Sequence, residues 1–256
     1  MATYNLVDRT TVVLGGTSEI GHAIVDALTR CGANVVFQGT RQQAADEIVE
    51  ACKGNAGSCT FKAADLMDYD QVESVFRDAE EIYGPVAVAV CSGGARRPPP
   101  MLFNDMSAQD MVDGFNNRIT PRVLGLKAAT KVMIPHGYGK VILMSTDAGR
   151  TPTPTETIIG SSGAFVNYLA RTAGRELSRN GVRVNSVAIT ITEGTKAFGE
   201  LTGKKSVFDK MREKAAFGLI TPHDVADYVL YLAAQESDRI SGSTMSLNGG
   251  VSFPGY

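Results

Sequence analysis

The β-branched run Thr11–Leu14 leads directly into Gly15-Gly16-Thr17-Ser18-Glu19-Ile20-Gly21, and a helical pattern from Ile20 to Arg30 begins before that loop has ended. A strand delivered onto a glycine turn and straight into a helix is a strong constraint on the fold. The glycines let backbone approach a ligand closely, and the helix start offers N–H groups and the positive end of its dipole. That combination suits a pyrophosphate. A lone glycine loop is weak evidence, because glycine turns are common; its place after the first strand gives it weight.

The same strand-then-helix rhythm continues to the end of the chain. Further strands are expected at Val35–Gln38, Cys59–Ala63, Ala87–Cys91, Lys140–Ser145, Val182–Ala188 and Thr244–Leu247. Several are apolar on both faces, as strands covered by helices on both sides must be. Helices are expected at Arg41–Cys52, at Asp68–Tyr83 behind a capping acid, and from Ser107, where Asp110 completes a capping box. Thr221-Pro222-His223-Asp224 is another start signal. This alternation implies an α/β fold, a doubly wound parallel sheet, with residues 1–256 as one domain.

Composition narrows the partners. An apolar content of 43% is too high for a disordered chain. Lys plus Arg number 25 against 27 acids, so no basic surplus recommends nucleic acid or an anionic membrane. The apolar run Val86–Cys91 is too short to span a bilayer, and the N-terminus lacks a secretory pattern. Cys31, Cys52, Cys59 and Cys91 form no CxxC pair, so no metal site and a reducing, cytoplasmic location are expected.

Taken together, the motifs resemble the short-chain dehydrogenase/reductase family over nearly the whole length. The family's glycine motif falls on Leu14–Gly21, with Gly15 and Gly21 at its first and last glycines and Glu19 where the middle one is expected. Asp65-Leu66 resembles the acidic pair that contacts adenine. Cys91-Ser92-Gly93-Gly94 takes the place of the NNAG motif. Arg183–Val187 resembles the RVNxV strand, and Leu247–Gly250 the C-terminal xDGG. The resemblance implies a Rossmann-type fold, a small-molecule substrate, and a homo-oligomer, dimer or tetramer. It also implies a dinucleotide held by Gly15, Thr17, Ser18, Ile20, Gly21, Thr40, Arg41, Asp65, Leu66, Ser92, Gly93, Gly94 and Thr195.

A carboxylate after the second strand would bond the ribose hydroxyls of NAD(H) and repel the extra phosphate of NADP(H). Here the segment is Gln38-Gly39-Thr40-Arg41, with no acid and with an arginine able to meet a phosphate. This favours NADP(H) over NAD(H). Arg41 also reads simply as a solvated residue opening the next helix.

The family's catalytic Ser, Tyr and Lys are matched only in part. The Ser falls on Thr146, beside Ser145. Ile159 stands in the place of the Tyr, and Gly163 in the place of the Lys. No tyrosine in the chain has a lysine four residues on. The Asn of the family's proton relay falls near Asn117 or on Arg118. Ile159 cannot transfer a proton, and Gly163 removes a cation. The glycines of this stretch read either as close helix packing or as cleared space for a ligand.

Asp147 and Glu193 are candidate replacement acids or bases, and each also reads as a turn residue. Arg96 and Arg97 follow the fourth strand, where an anionic substrate could be received; a solvated loop is the other reading. The expected function is an NADP(H)-dependent oxidoreductase with a non-standard site built on Thr146, Ser145, Asp147, Glu193 and Asn117. The alternatives are a non-redox isomerase, dehydratase or cyclase, or a catalytically inactive cofactor-binding subunit.

Overall fold

The computed structural model describes residues 4–94, 97–196 and 205–253. Seven strands, β1 (Thr10–Leu14), β2 (Asn34–Gly39), β3 (Cys59–Ala63), β4 (Val86–Cys91), β5 (Gly139–Thr146), β6 (Val182–Ile189) and β7 (Thr244–Leu247), form one parallel sheet in the order β3-β2-β1-β4-β5-β6-β7. The order reverses between β1 and β4. In open parallel sheets that reversal leaves a crevice outside the carboxyl ends of the strands. Gly15 and Ser92 follow directly on those two strands.

Helices α1 (Glu19–Arg30), α2 (Gln42–Ala51), α3 (Tyr69–Tyr83), α4 (Ala108–Met133), α5 (Thr157–Leu177), α6 (Lys205–Lys214) and α7 (Pro222–Ala233) connect the strands. Adjacent β1 residues serve opposite layers. Val13 packs with Ile24, Leu28, Val225 and Val229 of α1 and α7. Val12 and Leu14 pack with Val72, Phe76, Leu126 and Met133 of α3 and α4. Both layers are apolar, so β1 is buried throughout.

The caps behave as their chemistry dictates. Ser18 opens α1 and accepts from the Gly21 amide at 3.0 Å. Asp68 caps α3. The capping boxes Ser107–Asp110 and Thr221–Asp224 start α4 and α7. Pro121 sits inside α4, where it cannot donate to the Asn117 carbonyl one turn earlier. No helix among the described residues is long and apolar enough to cross a membrane.

The amino ends of β5 and β6 are tied by charge. Lys140, 3% exposed at its side chain, pairs with Asp238 at 2.8 Å, donates to Ser237 Oγ at 2.8 Å and also donates to the Ala234 carbonyl. Tyr138 donates to the same Asp238 oxygen at 3.0 Å and accepts from Arg9 at 2.7 Å. Arg9 and Arg183 each lie 5.1 Å from the centre of the Tyr138 ring. Burial lowers the Lys140 pKa, and the Asp238 carboxylate opposes that shift.

Candidate active site

The glycine loop is shaped by contacts on both sides. Gly15 has φ +80°, a left-handed conformation that side chains other than glycine resist. A Cβ there would lie 2.5 Å from the Cα of Gly93, so the loops after β1 and β4 touch backbone to backbone. Gln38, buried at the end of β2, accepts from the Gly15 amide at 2.9 Å and donates to the Ala64 carbonyl at 2.5 Å. Its own carbonyl accepts from the Gly16 amide at 2.8 Å. One glutamine therefore fixes the loop against β2 and β3.

The remaining cofactor candidates distribute unevenly around this loop. Ser18 donates back to the Gly15 carbonyl at 2.9 Å, and Gly21 lies in the first turn of α1. The Ile20 side chain turns into the core. Glu19, at the Gly position of the motif, is the first residue of α1 and half-buried. Thr17 is buried above Gly39, and any Cβ on Gly39 would collide with its hydroxyl and methyl. Thr40 and Arg41 are exposed, and the Arg41 guanidinium donates to the Thr17 carbonyl. Asp65 is exposed and accepts from the Met67 amide at 2.9 Å. Leu66 packs under Gly93. Ser92 donates its amide to the Leu14 carbonyl at 3.1 Å. Gly94 faces the Asn117 carbonyl and Arg122. Thr195 is buried and donates to the Thr192 carbonyl at 2.9 Å.

The catalytic candidates separate into two groups. Ser145 and Thr146 end β5 facing α5. Ser145 donates to the Gly163 carbonyl at 3.1 Å, and Thr146 Oγ1 accepts from the Ala148 amide at 3.3 Å. The Thr146 methyl occupies the space beside Gly163: a Cβ on that glycine would lie 2.5 Å from it. Ile159 is half-buried four residues earlier on the same helix. Asn117 donates to the Arg97 carbonyl at 3.1 Å.

Asp147 and Glu193 have other company. Asp147 is buried and accepts from Ser246 at 2.7 Å, from Asn248 at 3.2 Å and from Ser252. Its carboxylate thus ties the end of β5 to β7 and the segment after it. Glu193 pairs with Arg212 of α6. Arg97 is exposed, and Arg96 lies outside the described residues.

Arg122 and Glu156 at this end of the sheet escape a motif-based reading, and Arg118, on or beside the relay position, makes contacts the motif does not give. Arg122 of α4 donates to the Gly93 carbonyl at 2.7 Å and to the Met144 carbonyl at 3.2 Å, which bridges the ends of β4 and β5. Part of the side chain reaches solvent, yet desolvation of the guanidinium lowers its pKa to about 10. Arg118, one turn earlier, donates to the carbonyls of Arg97 (2.8 Å), Pro98 (2.6 Å) and Gly114 (3.2 Å). Glu156, the N-cap of α5, has its pKa raised by burial, against the pull of Arg118. The sequence signal for the two arginines is their four-residue spacing on one face of α4. For Glu156 it is an acid at a helix start directly after the fifth strand's loop.

A sequence model described as enoyl-(acyl carrier protein) reductase matches residues 15–252. The chain is 26% identical to zerumbone synthase of Zingiber zerumbet, over 98% of this chain and 97% of that one. It is 29% identical to the mitochondrial borneol dehydrogenase of Lavandula x intermedia, over 97% and 92% respectively. A solved short-chain type dehydrogenase/reductase from Mycobacterium ulcerans superposes with a TM-score of 0.90 at 21% identity, covering 96% of this chain and 90% of that one. The last likeness speaks to the fold alone.

Proposed function

Because this chain belongs to the short-chain dehydrogenase/reductase family, we propose that it is an NADP(H)-dependent oxidoreductase whose catalytic residues depart from the family's pattern. The observation that carries the reading is the contact between the Gly15 and Gly93 backbones at the sheet's reversal point. A Cβ on Gly15 would strike the Gly93 backbone and one on Gly93 the Leu66 side chain, so glycines let the two loops meet here, beside the start of α1. The residues fit a dinucleotide. Gly15, Thr17, Ser18 and Gly21 would take the pyrophosphate, Asp65 and Leu66 the adenine, and Ser92–Gly94 with Thr195 the far ribose. Ile20 would contribute backbone only, since its side chain lies in the core.

A reduced nicotinamide supplies hydride when bound. NADP(H) is preferred because Thr17 closes the space above Gly39, so no acidic side chain fits there, while the exposed Arg41 stands two residues on. In this reading Thr146 keeps a hydroxyl hydrogen to polarise a substrate carbonyl, and Asn117 and Arg122 hold the floor of the cleft. Asp147 and Glu193 serve structure rather than chemistry, because donors already occupy their carboxylates.

The substrate is a small molecule, and the protein assembles as a homo-oligomer. Support for assembly comes from Val112 and Phe115 on α4 and from Phe165 and Tyr168 on α5, all exposed. A cytoplasmic location accords with four unpaired cysteines.

Titration of NADPH and NADH by fluorescence tests the cofactor reading. NADPH is expected to bind at least about tenfold more tightly, a difference of roughly 1.4 kcal/mol. Binding of neither overturns the proposal. Product formed without any nicotinamide would favour the isomerase, dehydratase or cyclase reading instead.

A further inference from the structure

Resting on the oxidoreductase reading, we propose that Arg122 is a positioning residue of this site: it sets the loop after β4, which would carry the far ribose, against the hydroxyl-bearing end of β5. The argument begins with the sheet. β4 and β5 are paired from Val88 with Lys140 to Cys91 with Leu143, and there the ladder stops. β5 runs on through Met144, Ser145 and Thr146, paired there with β6. On its other side the chain leaves β4 for Ser92, Gly93 and Gly94. Strands that part in this way leave backbone carbonyls without ladder donors.

Arg122 supplies those donors. Its Nε–H donates to the Met144 carbonyl at 3.2 Å, and its Nη1–H to the Gly93 carbonyl at 2.7 Å. Met144 is the first residue of β5 beyond the ladder, and Gly93 the second residue after β4. One planar guanidinium thus spans the gap, with donors in a fixed fork. Its charge makes those bonds stronger than neutral ones.

The side chain is held at its base as well. Gly125, one turn further along α4, lies against β1 and β4: a Cβ there would come 2.7 Å from Leu14 Cδ1 and 2.8 Å from Cys91 Sγ. That close approach brings α4 down on the ends of the two strands. Gly94 meets α4 from the loop side. A Cβ on Gly94 would lie 2.7 Å from Arg122 Nη1 and 2.7 Å from the Asn117 carbonyl oxygen, the one that Pro121 leaves without its helix hydrogen bond. Among the described residues, Cys91 and Arg118 are the titratable groups whose fields reach Arg122, so no carboxylate competes for its donors.

The consequence is local. Arg122 fixes the level of Ser92–Gly94 relative to Ser145 and Thr146, so whatever rests on that loop meets the hydroxyls in one register. Gly15 touches Gly93 but is hydrogen-bonded to Gln38 of β2, so the adenine half of the cleft has support of its own.

The test uses the full chain and the Arg122→Met and Arg122→Lys variants. NADPH binding is followed by fluorescence. Binding of adenosine 2′,5′-bisphosphate, which carries the adenine half alone, is followed by calorimetry. Arg122→Met is expected to raise the NADPH Kd at least about tenfold and to leave the bisphosphate Kd within about twofold of the wild type. The emission maximum of bound NADPH, which reports the surroundings of the nicotinamide, should move toward that of the free cofactor. Arg122→Lys keeps a donor for one carbonyl, so its loss of NADPH affinity should be only about threefold. If Arg122→Met fails to fold, that selective loss in Arg122→Lys decides the matter. Equal weakening of NADPH and the bisphosphate, or an NADPH Kd that neither variant changes, would overturn the positioning role alone. A wild-type chain that binds no NADPH would overturn the NADP(H)-dependent oxidoreductase reading and this role with it.

Discussion

At the amino ends of β5 and β6, a buried lysine, a carboxylate, a phenol and two arginines satisfy one another. Lys140 has Asp238, Ser237 and the Ala234 carbonyl, and Asp238 also receives Tyr138. At the carboxyl ends of β4 and β5, a similar set is arranged differently. Arg118 and Arg122 are held by carbonyls, and Glu156 lies near Arg118 without an ion pair among the described residues. The first arrangement acts as a lock. The second sets two arginines against backbone carbonyls, and burial raises the pKa of the nearby Glu156. The same residue types do different work according to whether their partners are supplied by the fold.

The largest effect expected from breaking this contrast is at the lock. Asp238→Ala leaves the Lys140 ammonium buried without its counter-charge. Removing one partner of a buried pair costs about 3–5 kcal/mol. Asp238 is 35% exposed, so the expected loss is nearer about 2–3 kcal/mol, read as a lower urea midpoint. The NADPH dissociation constant should not move. A change in cofactor affinity of more than about twofold would show that the two ends are coupled, and the contrast would fail.

A smaller effect is expected where β5 meets α5. Gly163→Ala places a Cβ 2.5 Å from the Thr146 methyl. Overpacking typically costs about 1–3 kcal/mol. The helix recovers roughly 1 kcal/mol from replacing a glycine. The net loss should be about 1–2 kcal/mol. In a Thr146→Ser background the methyl is gone and the same alanine should become neutral or stabilising. Urea unfolding of the four proteins gives the coupling energy directly. Additive effects would refute a steric pairing between the threonine and the glycine. The outcome also bears on position 163, where a Cβ would meet the Thr146 methyl first.

The parts of the fold legible in the sequence share a physical cause. Strand runs, capping boxes and the Gly15 turn are set by groups within a few residues of each other. The α4 and α7 caps pair Ser107 with Asp110 and Thr221 with Asp224, three residues apart. The illegible parts are long-range. Gln38 supports Gly15 from 23 residues away. Asp147 draws its partners from 99 to 105 residues further on, so nothing local in the sequence announces them. Glu156 looks in sequence like an ordinary helix-start acid, and only the packing of α4 and its neighbours against it shows the burial.

The smallest predicted effect sharpens the contrast from the ligand side. Arg41 is exposed, caps nothing with its side chain, and donates to the Thr17 carbonyl. Exposed charge contributes little to stability, so Arg41→Ala should leave the urea midpoint within error of the wild type. Its charge should still be felt by a ligand phosphate. Loss of one exposed contact of this kind is expected to cost up to about 1 kcal/mol, or roughly fivefold in the NADPH dissociation constant, with NADH unaffected. Equal weakening of both cofactors would instead place Arg41 on the shared part of the dinucleotide, through its grip on the Thr17 loop. Loss of stability with unchanged affinity would make Arg41 behave like Lys140 at the other end of the sheet. Charge at the carboxyl ends would then be serving the fold after all.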